Sequence, residues 1–262
     1  MTSPSIVTAS FIGAGNVARN LAPALQRSGI RILEVCNRSG KPGRRLAAKV
    51  QASYVPKPSD MDPGADLFII AVTDDAIAET ASRLNTANLV VHTSGAIGLS
   101  VLDGCSQRTG VFYPLQTFGK KRISSWLNVP VCIEASDIQD QLLLLKLGML
   151  ISTHVVPLDS EHRRILHLSA VFASNFSNFM YSAAEEILAE HDISFDLLGP
   201  IINQTARNAR HKGIFTRQTG PAVREDQKAM AMHKALLKAH PDLQEVYDRI
   251  SKSIILKKRR NG

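Results

Sequence analysis

Cysteine is scarce in this chain: Cys36, Cys105 and Cys132 are the three among 262 residues. Their number is odd and their spacing matches no metal-ligand pattern, which argues against a disulfide framework and suits a reducing cytoplasm. His162 and His167 stand five apart, off a common helix face, so no metal pair is indicated. A secretory leader is not visible either, because Met1-Thr-Ser-Pro-Ser5 has neither a basic start nor a short apolar run. Of the net charge of +8, half comes from Lys257-Lys-Arg-Arg260. No aromatic residues are interleaved with those cations, as single-strand binding would favour, so a solvated, frayed terminus is expected there and nucleic acid is not an expected partner. Finally, no Asp, Glu, Lys or Arg occurs between Ile165 and Ala184. Twenty uncharged residues raise the question of a membrane span. His167, Asn175, Asn178 and four serines answer it, and a helix buried on most sides within an all-α domain is expected instead.

What is present is organised around Ser10-Phe-Ile-Gly-Ala-Gly-Asn-Val-Ala18. It follows the apolar run Ile6–Ile12 and opens a helical pattern. Gly13 permits the turn out of the strand, Gly15 lets a pyrophosphate approach the backbone, and small Ala18 lets the helix sit close on the strand. Ala14, Asn16 and Val17 complete the loop, whose helix N-terminus offers free N–H groups to an anion. The second strand, Arg31–Cys36, ends at Asn37-Arg-Ser39, where an NAD site usually places an acid for the ribose 2′-hydroxyl. Arg38 supplies a charged planar fork and Ser39 a hydroxyl, with Arg44 and Arg45 close by, so NADP is expected over NAD. The rival is Glu34 as the ribose acid, should the strand end early.

Alternating strand and helix patterns continue to His154–Leu158 and predict a parallel α/β sheet. Ligands in such sheets bind at the carboxyl ends of the strands. Two of those ends are Ala71-Val72-Thr73 and His92-Thr93-Ser94, both expected to line the cofactor. Simple turn chemistry for Thr73 and Ser94, and a backbone-bonded His92, are equally open. Tyr113 and Gln116, polar groups after a further strand, suit a substrate pocket. Beyond Asp159 only helical periodicity remains. Asp159 and Ser160 are candidate caps, and Ile165, Phe172, Phe176, Phe179, Ala183 and Ile187 form an apolar stripe. At about 100° per residue, Ser174, Asn178 and Tyr181 fall on one side with His167, and Asn175 lies beside them. That row suits either a site facing the sheet domain or an internal hydrogen-bond network. Arg224 could clamp an anionic substrate or pair with Asp226.

The chain resembles the bacterial Rossmann-like proteins whose C-terminal half is a domain of unknown function with a 6-phosphogluconate-dehydrogenase-like helical fold. The segments that carry the likeness are FIGAGNVA, CNRS, HTSGAIGLSVL, GVFYPLQTFGK, LDSEHRRILHLSAVFASNFSNFMY and QTGPAVREDQKAMAMH. The resemblance implies NADP binding, an oxidoreductase, and a homodimer packed through the helical domain. One departure matters. The related β-hydroxyacid dehydrogenases carry a Lys four residues before an Asn on the first long helix. Here no Lys occurs between Lys146 and Lys212, and Ser174 and Val171 stand four before Asn178 and Asn175. His167 is therefore the first candidate for the acid, since imidazole titrates near neutral pH, with Asn175 and Asn178 as its companions and His92 and Tyr113 in reserve.

The expectation is a Rossmann-type domain over 1–158 and a helical substrate and dimerisation domain over 159–262. The function expected is hydride transfer between NADP and a small polar carbonyl, imine or alcohol. The alternative is a non-catalytic NADP-binding sensor, favoured by the missing Lys.

Overall fold

The computed structural model describes residues 5–119 and 123–261. The start of the chain at Met1–Pro4, Lys120 to Arg122 within and just after one family segment, and Gly262 of the basic tail lie outside the described residues. The chain divides into two compact units, Met1–Asn175 and Phe176–Gly262.

The first unit is an eight-stranded sheet. Its strands are β1 (Thr8–Ile12), β2 (Arg31–Cys36), β3 (Ser53–Val55), β4 (Leu67–Ile70), β5 (Leu89–His92), β6 (Thr109–Pro114), β7 (Val131–Ala135) and β8 (Val155–Pro157). They lie in the order β3-β2-β1-β4-β5-β6-β7-β8. β1 to β6 pair parallel, as does β8 with β7, but β7 runs antiparallel to β6. The sheet is thus parallel, as expected, apart from that one seam. The described residues between β6 and β7 contain no crossover helix, and a strand that returns without one pairs antiparallel.

Helices α1 (Asn16–Arg27) and α4 (Ile138–Met149) cover one face; α2 (Gly40–Lys49) follows β2, and α3 (Ile77–Ser82) covers the other face. β4 shows why the strands read as continuous apolar runs. Leu67 and Ile69 enter the core with Leu21, Leu25 and Leu144, whereas Phe68 and Ile70 enter the opposite core with Ile77 and Leu102. A strand buried on both faces has no polar side to show.

The last strand ends at Pro157 and α5 (Ser160–Ala170) begins three residues later, close to the expected 158/159 transition. The compact first unit nevertheless keeps all of α5 and most of the π-helical turn Val171–Phe176 that follows it. Asp159 caps α5, its carboxylate accepting the His162 N–H at 2.9 Å. Ser160 is committed elsewhere.

The second unit holds α6 (Ser177–Ala189), α7 (Gly199–Asn208), α8 (Pro221–Arg224), α9 (Gln227–Leu236) and α10 (Pro241–Asn261). A cavity of about 350 Å³ lies between α6, α8 and α10, lined by Met180, Ile187, Pro221, Leu243, Tyr247 and Ile254 among others. Two expectations are corrected here. The basic tail is not frayed: α10 runs to Asn261, and Arg259 pairs with Glu225 at 2.6 Å. The apolar stripe is not buried in this chain, with Phe172, Phe176 and Phe179 exposed to 63%, 49% and 48%. Helical periodicity marks a face that wants cover but does not say which chain supplies it. Among the described residues, no helix is long and apolar enough to cross a membrane.

Candidate active site

β1 delivers the chain to Gly13, whose N–H donates to the Cys36 carbonyl at 2.8 Å. Gly13 has φ +108°, and a Cβ there would lie 2.2 Å from the Ala71 carbonyl oxygen. No other residue fits, so the loop is built for a glycine. At Gly15 the same construction meets only the Ala71 oxygen, 4.0 Å away, and both Gly15 and Asn16 are exposed. α1 therefore starts with no side-chain cap and no acid in its first turn. Its first N–H groups and its positive dipole end face solvent, as an anion site requires.

β2 ends at Cys36, which decides between the two ribose readings. Glu34 is not at the tip: its carboxylate accepts the Asp62 N–H at 2.9 Å, and burial raises its pKa. Asn37 occupies the tip and bridges two loops. Its Oδ1 accepts the Ala14 N–H at 3.1 Å, and its Nδ2 donates to the Ser39 carbonyl at 2.7 Å. Arg38 and Ser39 are exposed beside it, and α2 starts at Gly40 with no acid in its first turn. Arg44 stacks its guanidinium 4.6 Å from the Tyr54 ring, while the Tyr54 hydroxyl donates to the Asn37 carbonyl. The residues present fit a dinucleotide with a 2′-phosphate: a bare glycine bend, two helix starts with no side-chain cap and no acid in the first turn, and exposed Arg38 and Ser39 at the tip.

The ends of β4 and β5 are less uniform than expected. Ala71 and Val72 leave β4 beside Gly13, and Thr73 is exposed. His92 does not face an open site. Its side chain is fully buried, Nδ1 accepts the Ser94 N–H at 3.1 Å, and burial, aided by the charge of Arg163, pulls its pKa down to about 4. An imidazole held neutral in the interior supplies no acid at neutral pH, so His92 is removed from the list of cofactor contacts and proton donors. Thr93 and Ser94 are also buried; the Ser94 Oγ accepts from the Ala96 and Ile97 N–H groups, which is turn chemistry.

Tyr113 and His167 form a polar pair. The Tyr113 hydroxyl lies 3.0 Å from His167 Nδ1, with the rings edge-to-face at 6.0 Å. Burial pushes the Tyr113 phenol up to about 12, so it is a neutral hydroxyl across the physiological range. Beside this pair, Thr117 Oγ1 meets Ser174 Oγ at 2.9 Å, and Gln116 is exposed with its Oε1 on the Thr117 N–H. Asn16 reaches this loop too, its Nδ2 donating to the Phe118 carbonyl at 2.8 Å. The glycine loop and the Tyr113 loop are thus joined. Ser174 lies in the π-helical turn, a local widening that recurs at functional sites.

Two residues escaped the sequence reading. Gly95 is buried, and a Cβ there would stand 2.6 Å from Tyr113 Cζ and 2.7 Å from His167 Nδ1. Arg163 is fully buried and bound to the Glu134 carboxylate. The glycine pattern was visible in His92-Thr-Ser-Gly95, but an arginine one turn before His167 reads as surface.

Other expected residues are described within their own units. Asn175 is exposed at the end of the first unit, and exposed Asn178 belongs to the second. Arg224 is exposed, and its expected pairing with Asp226 does not form, because Asp226 caps α9 through the Ala229 N–H. His162 pairs with Asp159 rather than with His167. In the second unit Glu186, Glu190 and His240 bring ligand-type atoms within 4.8 Å of one another, and both His240 nitrogens already face carboxylates.

Residues 2–116 match a Rossmann-like domain, and residues 129–254 match a domain of unknown function, DUF2520. The structure of a putative NADP oxidoreductase from Bacteroides fragilis is 40% identical, covering 95% of this chain and 98% of that one, with a TM-score of 0.89. The chain belongs to this Rossmann-like, DUF2520 family. An imine reductase from Myxococcus stipitatus in complex with NADP+ shares its fold at 17% identity and a TM-score of 0.68, covering 97% of this chain and 95% of that one. A reductive aminase from Aspergillus terreus in complex with NADPH does so at 12% identity and a TM-score of 0.70, covering 98% and 95%. No curated protein matches the chain.

Proposed function

We propose that this chain is an NADP-dependent oxidoreductase that moves a hydride between the nicotinamide and a small polar carbonyl, imine or alcohol carbon. The observation that carries the reading is the Tyr113–His167 pair, held 3.0 Å apart between the end of β6 and α5, beside the loop whose Phe118 carbonyl binds Asn16 of the glycine bend. The relatives named for NADP chemistry support it, the B. fragilis protein by sequence and the imine reductase by fold. When bound, NADP supplies the hydride donor or acceptor. Gly13, Ala14, Gly15, Asn16 and Val17 would hold its pyrophosphate, with Asn37, Arg38 and Ser39 at the 2′-phosphate.

The protein's own part is orientation and a proton. As the imidazolium, His167 donates its Nδ1–H to the Tyr113 oxygen and can give its Nε2 proton to a developing alkoxide or amine, which leaves a neutral ring with its proton on Nδ1. Tyr113 fixes that tautomer in the way a buried partner orients other catalytic histidines. Thr117, Gln116 and Ser174 offer uncharged hydrogen-bonding groups to a polar substrate. Residues from 159 onward complete the substrate side and supply the dimer contact, in which the exposed phenylalanine stripe would be covered by a second copy.

A fluorescence titration with NADPH and NADH, on wild type and Arg38→Ala, tests the cofactor half. Tighter NADPH binding that Arg38→Ala levels supports it; absence of binding by either nucleotide overturns it. His167→Ala should then abolish turnover of carbonyl and imine substrates with cofactor affinity nearly intact. Tight NADPH binding with no turnover of any oxo acid, imine or hydroxy acid would favour the redox-sensing alternative.

A further inference from the structure

Among the described residues, Arg163 is the largest side chain to be fully withdrawn from solvent. A buried guanidinium is tolerated only where its charge and its donors are matched. Here Nη1 and Nη2 are matched by separate pieces of the first unit, while the buried Nε has no hydrogen-bond partner among the described residues. Nη1 binds the Glu134 carboxylate on β7, and Nη2 binds the Ile97 carbonyl in the loop after β5 and, at 3.3 Å, the Ser160 Oγ. Ser160 Oγ in turn donates to the same Glu134 carboxylate at 2.8 Å and accepts the Leu99 N–H at 2.9 Å. Strand, loop and helix start are locked to one another through one side chain.

The placement of this knot relative to the reactive pair is informative. Arg163 and His167 are four apart on α5, on one face and one turn from each other. The loop that Arg163 grips through Ile97 is the loop carrying Gly95, whose missing Cβ makes room for both Tyr113 and His167. We infer that Arg163, with Glu134 and Ser160, is a positioning clamp that sets the rotation and height of α5 against the sheet so that His167 meets Tyr113. The inference rests on the catalytic reading of that pair given above. A purely apolar contact would bury the same surface without fixing the helix angle. The two-pronged guanidinium fixes it, because its donors have set directions. Arg163 also places positive charge near Tyr113, where it opposes the upward push of burial on the phenol.

The test uses histidine-selective nitrogen NMR on the full chain, in the presence and absence of NADPH. Wild type should show His167 in one tautomer with Nδ1 hydrogen-bonded, assigned by its loss in His167→Gln. In Glu134→Gln, which keeps shape and removes charge, and in Arg163→Met, the His167 signals should shift to a mixture of tautomers. NADPH affinity should change less than about twofold, and turnover should fall on the order of 10²-fold in kcat with little change in KM, the scale expected from an ångström of misplacement. Arg163→Lys should recover part of the loss. Should Arg163→Met not fold, Glu134→Gln and Ser160→Ala decide. An unchanged His167 tautomer and hydrogen bond in the folded variants overturns the clamp. Because the NMR signal needs no substrate, a wild type with an ordered His167 but no turnover would defeat the catalytic reading and leave the clamp standing.

Discussion

Replacing Gly95 by alanine adds one methyl group at the closest point of the site. The new Cβ would sit 2.6 Å from Tyr113 Cζ and 2.7 Å from His167 Nδ1. Non-bonded heavy atoms rest at about 3.5–4.0 Å, so each ring must retreat by roughly 1 Å. Both cannot do so and keep the 3.0 Å hydrogen bond between them. Overpacking of this kind costs about 1–3 kcal/mol, and the lost hydrogen bond adds about 0.5–1.5 kcal/mol. At roughly 2–4 °C per kcal/mol for a unit of this size, thermal denaturation should move down by about 3–18 °C. Cofactor binding, which uses the glycine loop and the β2 tip, should be nearly unchanged, while turnover falls by the roughly 10²–10⁴-fold that a positioned proton donor contributes. The paired assay is calorimetry with a nicotinamide fluorescence titration and a reductase assay. An alanine variant that melts with wild type and keeps its His167–Tyr113 hydrogen bond would show that the site has slack, and the argument from close packing at Gly95 would fail.

Gly13→Ala should reduce NADPH affinity by more than tenfold and lower the melting temperature. Its Cβ has no way past the Ala71 carbonyl at 2.2 Å and its φ is left-handed; a variant binding NADPH normally would refute the glycine argument. His240 gives a pH signature. Its Nε2 lies 2.8 Å from Glu190 and its Nδ1 3.7 Å from Glu186, and the Glu190 hydrogen bond raises its pKa above 6.5. The stabilisation is thus complete below about pH 6.5, the value of the unfolded chain, and is lost as pH rises through the raised folded value. The melting-temperature gap between wild type and His240→Gln should narrow from pH 6 to pH 9; a constant gap would mean no protonated pair. Phe68, 1% exposed in the sheet core, should cost about 3–5 kcal/mol on replacement by alanine, read by denaturant unfolding.

Much of this was legible because the governing signals are local. β2 stops at Cys36 and β5 at His92, where an apolar run meets turn residues, and α4 spans Ile138–Met149 between an Asp cap and a loop. The glycine bend was legible from spacing alone, because steric exclusion at Gly13 leaves no substitute. Direction was not: the apolar string Val131–Ala135 reads the same whether it pairs parallel or antiparallel. Nor was the fate of polar groups. His92 and Arg163 carry polar groups that sequence reasoning assigns to surface or site; His92 ends a strand buried in the sheet and bonds only to nearby Ser94, whereas Arg163 meets its partner Glu134 29 residues away. The phenylalanine stripe was found but misplaced, since a single chain does not declare what covers it.

Asn37 bears on how coenzyme preference could be rewritten. Exchanging NADP for NAD is commonly attempted by installing an acid at the ribose tip. Here the residue at that tip also holds the glycine bend, through its Oδ1 on the Ala14 N–H, and its Nδ2 needs the Ser39 carbonyl. An aspartate would keep the first bond and turn the second into a clash of lone pairs. Redesign should therefore leave Asn37 alone and work on Arg38 and Ser39, whose side chains are exposed. In this protein the choice of coenzyme and the shape of the loop that binds it are separable at two neighbouring positions and inseparable at the third.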